Sequence, residues 1–381
     1  MDDIGRAAGI TGPGIYRHFA SKEAILSTAV EVGATQILTR VHDIVDHAAS
    51  PEAALKALIR NFIRATLNKP ELASILLNDR QVFTPDTREF VDRAEADHLK
   101  QWLRQLRALR PDLSAAEART MIHATAGLLA AVLRSPTGLE RARLEQVLQG
   151  MAEASLFAQD RVRPPGRLAP PPAATPEPVD AHRRSRRPRR RDLILDSAAD
   201  LFAERGFAGT GIDEIGAAAG ITGPGVYRHF ASKDEILKCL VQEAVERLLG
   251  TDSTRPLVAD DDPEEVLTDL VIKLVNDTRD NAALARVAWN EQRSLGPETR
   301  AWLLRLHRLR SAEWVHLVSR IRPETPDLEL LTLVNGIYGM VIEAAQHDQG
   351  LKEEHTREVL INMVLRVVLP PAPTRRRSID R

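Results

Sequence analysis

Residues 213–237 read DEIGAAAGITGPGVYRHFASKDEIL, and residues 2–26 read DDIGRAAGITGPGIYRHFASKEAIL, so one stretch occurs twice in this chain. Twenty of the 25 aligned positions are identical, at a constant spacing of 211 residues. Sparser matches follow at a spacing of 212, such as Trp102 with Trp314 and Gly127 with Gly339. Solenoid repeats have periods of roughly 20–50 residues, so this spacing instead predicts two copies of one large unit.

Local signals in copy two predict two helices before the repeated turn. Apolar residues recur at helical spacing between Leu193 and Phe202, and Gly206 is expected to end that helix. Thr210 is expected to cap a second, short helix. Gly220 then supplies a residue that adopts the left-handed backbone of a helix end.

Two further helices are predicted after Gly220. Thr222 is expected to cap a third short helix, and Ser232 with Glu235 forms a capping box for a fourth, long helix. Two short helices joined by a tight glycine turn are typical of a helix-turn-helix. No segment shows the sustained alternation of a strand. We therefore predict an all-α fold with tandem helix-turn-helix domains, each followed by a helical ligand-binding and dimerisation domain.

The domain boundaries follow from composition. Seven prolines lie between Pro164 and Pro178, and seven arginines lie between His182 and Arg191, which is typical of an extended, basic linker. We predict a truncated helix-turn-helix domain (1–32), a helical domain (33–159), a linker (160–188), a second helix-turn-helix domain (189–238), a second helical domain (239–369) and a basic tail (370–381).

Composition narrows the class of protein. Of the 381 residues, 43% are hydrophobic and 4% aromatic, and the net charge is −1. The single cysteine, Cys239, excludes an internal disulfide and a Cys-based zinc site. The motifs of hydrolases, zinc proteases and nucleotide-binding loops are absent from the sequence, so we expect no enzyme, no metal and no cofactor. The start has no signal-peptide pattern, and the apolar stretch 124–133 is too short to span a bilayer, which predicts a cytoplasmic protein.

The runs 194–207, 210–220 and 221–233, with their Tyr-x-His-Phe-x-Ser-Lys ending, resemble the DNA-binding domain of TetR-family transcriptional regulators. Copy one resembles that domain over residues 2–26 only and begins inside the second helix. The resemblance implies a DNA-binding domain followed by a domain of about six helices that binds a small ligand and dimerises through its last two helices. It also implies a predicted interface at the small-residue segment 124–131.

The resemblance and the positions on the predicted third helix together give the candidate DNA contacts. Thr222 caps that helix and contacts phosphate. Gly223, Pro224 and Gly225 allow close approach of the backbone to the major groove. Tyr227 and Lys233 contact phosphate, while Arg228 reaches guanine or phosphate. The full set is Arg189, Arg190, Arg191, Thr210, Thr222, Gly223, Pro224, Gly225, Tyr227, Arg228, His229 and Lys233, with Thr11, Gly12, Pro13, Gly14, Tyr16, Arg17, His18 and Lys22 in copy one.

Candidate ligand contacts lie on apolar helices. Asn335 and Tyr338 are three residues apart on one such helix, and His123 lies at the position equivalent to Asn335 in copy one. Polar groups on an apolar helix face either pair within the core or point into a pocket. Both readings stay open for these three residues.

Together these patterns predict a ligand-responsive transcriptional regulator, most simply a repressor released from operator DNA by a small apolar or amphipathic effector. The expected partners are double-stranded operator DNA, an unidentified effector, and either the other half of the same chain in a pseudo-dimer or a second chain in a homodimer, with no membrane. The alternative is a helical scaffold or sensor whose first unit only pairs with the second. An upstream helix before copy one would favour two working DNA-binding domains.

Overall fold

The computed structural model describes residues 2–9, 11–78, 83–157, 190–248, 262–347 and 349–369. Arg189, the predicted linker (160–188) and the predicted tail (370–381) lie outside the described residues. Every regular element in the described ranges is a helix, which confirms the prediction of an all-α fold. The chain divides into two compact units, Met1–Ala118 and Arg119–Arg381. The domain boundaries given above stay a prediction.

In the described ranges, copy one contains eight α-helices. They are α1 (Asp2–Ala8), α2 (Gly12–Tyr16), α3 (Lys22–His47), α4 (Pro51–Asn68), α5 (Pro70–Asn78), α6 (Pro85–Leu109), α7 (Ala115–Arg134) and α8 (Arg141–Phe157). Three of them begin at a proline, which has no N–H to lose in a first turn. In the first unit α6 packs against α3 and α4, around buried residues such as Leu55, Ile59 and Leu106.

Copy two has nine α-helices in the described residues. They are α9 (Arg190–Arg205), α10 (Ile212–Ala218), α11 (Gly223–Val226), α12 (Lys233–Leu248), α13 (Pro263–Asp280), α14 (Ala282–Asn290), α15 (Pro297–Ile321), α16 (Asp327–His347) and α17 (Glu354–Val368). Short 3₁₀ turns at Glu291–Arg293 and Gln349–Lys352 follow α14 and α16. Helices α9 and α12 pack on α14, and one apolar core joins them through Leu284 and Val287.

Helix α16 lies in the centre of the second unit. It is the one helix in the described ranges that is long and apolar enough to cross a membrane, but 72% of its apolar window is buried inside the protein. A core helix of a water-soluble domain has the same composition, because both environments exclude water. We therefore interpret α16 as a core helix.

One predicted helix cap was wrong by one residue. The residue that caps α10 is Gly211, not Thr210. The Glu214 carboxylate accepts a hydrogen bond from the Gly211 N–H at 2.7 Å, as in a capping box. The hydroxyl of Thr210 is buried and donates to the Gly206 carbonyl at 2.9 Å, so it closes the loop after α9 instead.

Candidate nucleic-acid interface

The turn between α10 and α11 is held by glycines. Gly220 has a φ of +68°, a left-handed conformation that L side chains rarely adopt. A Cβ at Gly216 would lie 2.9 Å from the Gly223 nitrogen and 3.0 Å from the Thr222 carbonyl carbon. A Cβ at Gly223 would lie 1.8 Å from Oδ1 of Asp213. At Gly216 the close atoms are backbone, so that position has no room for a side chain, whereas at Gly223 the Asp213 carboxylate would have to move.

This turn presents a polar face at the end of α11. Thr222, Pro224, Arg228 and His229 are exposed, and Tyr227 is 57% exposed. The neighbouring apolar residues point inward, since Val226 is 0% and Phe230 2% exposed. The Tyr227 hydroxyl, the Arg228 guanidinium and the His229 imidazole are therefore exposed together. Groups of this kind can hydrogen-bond to a nucleic-acid backbone. The structure thus brings these candidate contacts together on one face.

The small residues of α11 have different surroundings. Gly223 is buried beneath Asp213, so its contact is with α10, and no surface of Gly223 is left for a groove. Gly225 is half-buried, and a Cβ there would make ordinary contacts of 3.4–3.7 Å. Thr222 is the capping residue of α11 but its side chain makes no cap bond within the described structure. The prediction that the backbone of α11 closely approaches the major groove therefore rests on Pro224 and Gly225.

Copy one presents a similar face. Tyr16 is 57% exposed, like its counterpart, and Pro13, Arg17 and His18 are exposed as well. The Thr11 hydroxyl caps α2 by accepting from the Gly14 N–H at 3.2 Å. Gly14 is half-buried, and the exposure of Gly12 lies outside what the structure describes.

The two copies differ beneath that face. Phe230 in copy two is buried, whereas Phe19 in copy one is only half-buried. Helix α9 accounts for the difference, because its residues Ile194, Ala198 and Phe202 share a core with Phe230. Copy two therefore has the better-supported helix-turn-helix.

The basic residues at the start of α9 divide into two kinds. Arg190 is exposed at the first position of the helix. The guanidinium of Arg191 lies 4.6 Å from the centre of the Phe230 ring and donates to Sγ of Cys239 at 3.2 Å. Arg191 thus packs on the domain itself, and Arg190 is the described arm residue with the more open position.

Lys233 is held inside the domain. Its Nζ donates to the carbonyl oxygens of Phe207 at 2.7 Å and Thr210 at 2.9 Å. The same ammonium lies 4.3 Å from the centre of the Phe207 ring. These contacts tie the start of α12 to the loop after α9. The predicted phosphate contact of Lys233 stays a prediction, and it would use the one donor of the ammonium that these two carbonyls leave.

The equivalent Lys22 is exposed. We expect Lys233→Met to destabilise the second unit by about 2 kcal/mol, because it removes two charge-assisted hydrogen bonds and a cation–π contact. Lys22→Met is the matched control and should change stability by less than about 0.5 kcal/mol. Urea unfolding followed by hydrogen exchange measures both, in α9–α12 for Lys233→Met and in α1–α3 for Lys22→Met. Equal effects of the two substitutions would contradict the structural role of Lys233.

Two charged side chains, which no sequence pattern marked, connect this domain to the helical body. Oε1 of Glu291, which is 5% exposed, accepts from the Phe207 N–H at 3.0 Å. Arg286 donates to the Ala203 carbonyl near the end of α9 at 3.3 Å and also to the Gln346 carbonyl near the end of α16. Arg286 therefore joins the end of α16 to the end of α9 through hydrogen bonds.

Helix α7 of copy one packs directly on α16 of copy two within the second unit. A Cβ on Gly127 would lie 2.2 Å from the Gly339 carbonyl oxygen, and a Cβ on Gly339 would lie 2.3 Å from the Gly127 carbonyl oxygen. Backbone-to-backbone contact of this kind needs glycine on both helices. The small-residue segment 124–131 therefore lies in a helix–helix contact, and its role as a dimerisation interface stays a prediction.

This contact has an approximate two-fold character. His123 stacks on His347 with ring centres 4.4 Å apart, and Asn335 Nδ2 donates to the Ser135 carbonyl at 3.3 Å. Asn335 and His347 follow His123 and Ser135 by 212 residues, the spacing that also relates Gly339 to Gly127. Exchanging the two copies therefore turns the pair 123–347 into the pair 335–135. An isologous dimer interface has the same property.

Polar bonds close one end of the same interface. Arg143 on α8 binds the Glu329 carboxylate with two hydrogen bonds of 2.7 and 2.8 Å. The hydroxyls of Thr137 and Thr332 lie 2.9 Å apart and are buried. Helix α8 packs against α17 and, less extensively, α16. The last two helices of copy one and of copy two therefore form a single helical cluster.

The three candidate ligand residues do not lie together in the structure. His123 and Asn335 both lie at the contact between α7 and α16, where the Nδ2 of Asn335 is bonded and its Oδ1 has no partner among the described residues. Tyr338 instead lies beside α15, 4% exposed, with its ring 5.6 Å from that of Trp314 and 5.8 Å from that of His307. In the described part of the chain, no three His, Cys, Asp or Glu side chains are placed to hold a metal ion.

The stacked histidines make the second unit sensitive to acid. Burial, with the nearby His347, lowers the pKa of His123 from its ordinary 6.5 to about 4. Burial raises the pKa of Glu343, but the hydrogen bond from His347 (3.0 Å) and nearby cations outweigh it and lower that pKa. The folded unit therefore holds His123 neutral beside an ionised Glu343.

We expect the free energy of unfolding to fall as the pH drops from about 6.5 to about 4. The unfolded chain takes up a proton on His123 before the folded chain does, so the stabilisation is complete above 6.5 and lost towards 4. One histidine contributes at most about 1.4 kcal/mol per pH unit. Urea titrations at several pH values, on wild type and His123→Gln, measure it; an unchanged pH slope in the variant would contradict the assignment.

The fold and this site define the class: an all-α protein with two helix-turn-helix segments. Residues 1–29 and 194–240 match the family model of bacterial regulatory proteins of the tetR family. This match supports the resemblance read from the sequence.

Similar proteins are transcriptional regulators. The chain is 39% identical over 76 residues to the HTH-type transcriptional activator FasR of Mycolicibacterium smegmatis, covering 19% of this chain and 35% of that protein. It is 40% identical over 76 residues to the HTH-type transcriptional repressor KstR2 of Rhodococcus jostii, covering 20% of this chain and 36% of that protein. The chain thus matches about a third of the length of these curated relatives. They are regulators, which agrees with the prediction that the protein is not an enzyme.

Part of the chain is similar to a solved structure. A TetR-family transcriptional regulator from Bordetella parapertussis is 19% identical, with a TM-score of 0.44, and the match covers 48% of this chain and 95% of that one.

Proposed function

We propose that this protein is a transcriptional regulator that binds double-stranded operator DNA through copy two. The observation that carries the proposal is the helix-turn-helix of α10 and α11, supported by α9 and α12, with Tyr227, Arg228 and His229 exposed on one face. The match of residues 194–240 to the tetR family model supports it. Copy one offers the same exposed face on a less complete core.

Arg228 is the residue that gives this face sequence preference. Gly223, Pro224 and Gly225 have no side-chain donors, whereas an arginine can bind guanine with two hydrogen bonds. Tyr227, His229 and Arg190 contribute contacts to the phosphate backbone, which fix the orientation of the domain without reading sequence. The affinity is therefore expected to fall steeply with salt.

Selection from a randomised duplex library, followed by fluorescence anisotropy at several salt concentrations, tests the proposal. Arg228→Ala should relax preference at one or two base positions, at a cost of roughly 1–3 kcal/mol. The matched variant Arg17→Ala reports whether copy one reads DNA as well. A wild-type chain that binds no duplex at low salt, or an Arg228→Ala variant that selects the same motif, would overturn the assignment.

The regulator is a repressor that a small apolar or amphipathic effector releases from DNA in the cytoplasm. The contacts that support a ligand response are those of Arg286 and Glu291, which join α9 and its following loop to the helical body. Binding in that body changes DNA affinity if it displaces these contacts or the apolar core that joins α9 and α12 to α14. Coupling of this kind is typically about 1–3 kcal/mol, or roughly 5–150-fold.

The two copies pair within one chain as a pseudo-dimer. The Gly127–Gly339 contact, the Arg143–Glu329 ion pair and the two-fold exchange of roles between His123–His347 and Ser135–Asn335 support this pairing. A tether also raises the effective concentration of one copy near the other to roughly millimolar, which favours pairing in cis. Sedimentation velocity should therefore give one chain mass at low micromolar concentration. A species of twice that mass that persists to nanomolar concentration would show pairing in trans.

A further inference from the structure

Tyr338 has a buried hydroxyl that is not hydrogen-bonded within the described part of the protein. The residue is 4% exposed, and among the described residues its hydroxyl has no hydrogen-bond partner. The rings of His307 and Trp314 on α15 flank it. Burying a hydroxyl without a partner costs free energy, so native proteins rarely leave one in this state.

A second unpaired donor lies nearby on α15. The Nε of Arg310 is buried and has no hydrogen-bond partner within the described ranges. The Nη1 of the same side chain binds the Glu313 carboxylate at 3.0 Å, so that pair leaves Nε free. Arg310 lies on the same face of α15 as His307 and Trp314, three residues after the first and four before the second, and both of those rings contact Tyr338, so Arg310 lies beside Tyr338.

The two unpaired groups, the Tyr338 hydroxyl and the Arg310 Nε, both need a hydrogen-bond acceptor as their partner. Arginine can only donate hydrogen bonds, and a tyrosine hydroxyl donates readily. The nearest hydroxyl on α15, that of Ser311, already faces Nδ1 of His307 at 3.5 Å. Burial lowers the pKa of His307 and raises that of Tyr338, so both rings are neutral at physiological pH. Elsewhere α15 and α16 bury apolar residues such as Leu317 and Val334.

We propose that Tyr338 and Arg310 bind the carbonyl or carboxylate oxygen of an apolar ligand between α15 and α16. This inference rests on the ligand response included in the proposed function and names the chemistry that the ligand must offer. The equivalent positions in copy one are Ala126 and His98, 212 residues earlier, so copy one lacks both donors. One such ligand binds per chain.

Three naphthalene probes of similar size test the acceptor. The probes are 2-acetylnaphthalene, 2-naphthoate and 2-ethylnaphthalene, which offer a neutral carbonyl, an anionic carboxylate and no acceptor. Calorimetric titration of the full chain should show that at least one acceptor probe binds roughly tenfold or more tightly than 2-ethylnaphthalene, with one site per chain. Tighter binding of the naphthoate would identify an anionic ligand; tighter binding of the ketone, a neutral one.

Tyr338→Phe removes the hydroxyl and keeps the ring, and it is compared with the wild-type chain. Tyr338→Phe should weaken the acceptor probes about tenfold, leave 2-ethylnaphthalene unchanged and leave the ligand-free melting temperature equal or higher. Equal binding of all three probes, binding by none, or a lower melting temperature of the ligand-free variant would overturn the inference.

DNA anisotropy on the same samples separates this inference from the proposed function. DNA binding without selective probe binding overturns the ligand site alone. Selective probe binding that leaves DNA affinity unchanged supports the site and overturns the ligand response. Selective probe binding by a chain that binds no DNA supports the site and overturns the proposed regulator.

Discussion

Gly127→Val is expected to destabilise the second unit by more than about 3 kcal/mol and to separate α7 from α16. A Cβ at this position would lie 2.2 Å from the Gly339 carbonyl oxygen and 2.4 Å from Cβ of Glu343. The first of these atoms is backbone in the middle of a buried helix, so it has no rotamer through which to move away. The helices must part, and the stacked histidines and the Asn335–Ser135 bond would be lost with them.

Gly150→Ala is the matched control for that substitution. Gly150 lies within α8, and nothing would come within 4 Å of an added Cβ. Alanine there should raise stability by about 0.5–1 kcal/mol, because it reduces the freedom of the unfolded chain. Guanidinium unfolding compares the two variants with wild type. A Gly127→Val chain with the wild-type midpoint would show that α7 and α16 do not form the close contact described.

The parts of the fold that local chemistry determines were predictable from the sequence. Prolines at positions 51, 70, 85, 263 and 297 each begin a helix, as a residue without an N–H is suited to do. Gly206 and Gly220 adopt the positive φ that their positions after helices indicated. The internal spacing of 212 residues also pointed to Gly127 and Gly339 as equivalent residues before any contact between them was known.

Contacts between distant residues were not predictable in this way. Lys233 bonds to carbonyls 23 and 26 residues earlier, and Glu291 accepts from a backbone N–H 84 residues away. No local pattern marks a side chain whose partner is a main-chain group brought near by folding. His123 was a ligand candidate because it is polar on an apolar helix, a property that an interface histidine shares. The unpaired Nε of Arg310 had no signal in the sequence at all.

Gly216→Val is expected to lower the DNA affinity of the chain at least about 100-fold, or roughly 2.7 kcal/mol. The new Cβ would lie 2.9 Å from the Gly223 nitrogen and 3.0 Å from the Thr222 carbonyl carbon, both in the backbone that begins α11. Because main-chain atoms cannot rotate away as a side chain can, α11 must move off α10. Thr222, Tyr227 and Arg228 then lose their common orientation, although each side chain is still present.

Gly225→Ala distinguishes that loss of orientation from a mere change of side chain near the DNA. A Cβ at Gly225 would make ordinary contacts of 3.4 Å with Thr222 Oγ1 and 3.6–3.7 Å with Ile221, so α11 stays in place and affinity should change less than about fivefold. Anisotropy with the selected duplex measures affinity, and far-UV circular dichroism confirms that both variants keep their helices. Wild-type affinity in Gly216→Val would mean that copy two does not hold the DNA. The same loss in both variants would mean that the exposed surface of α11, rather than its packing on α10, controls binding.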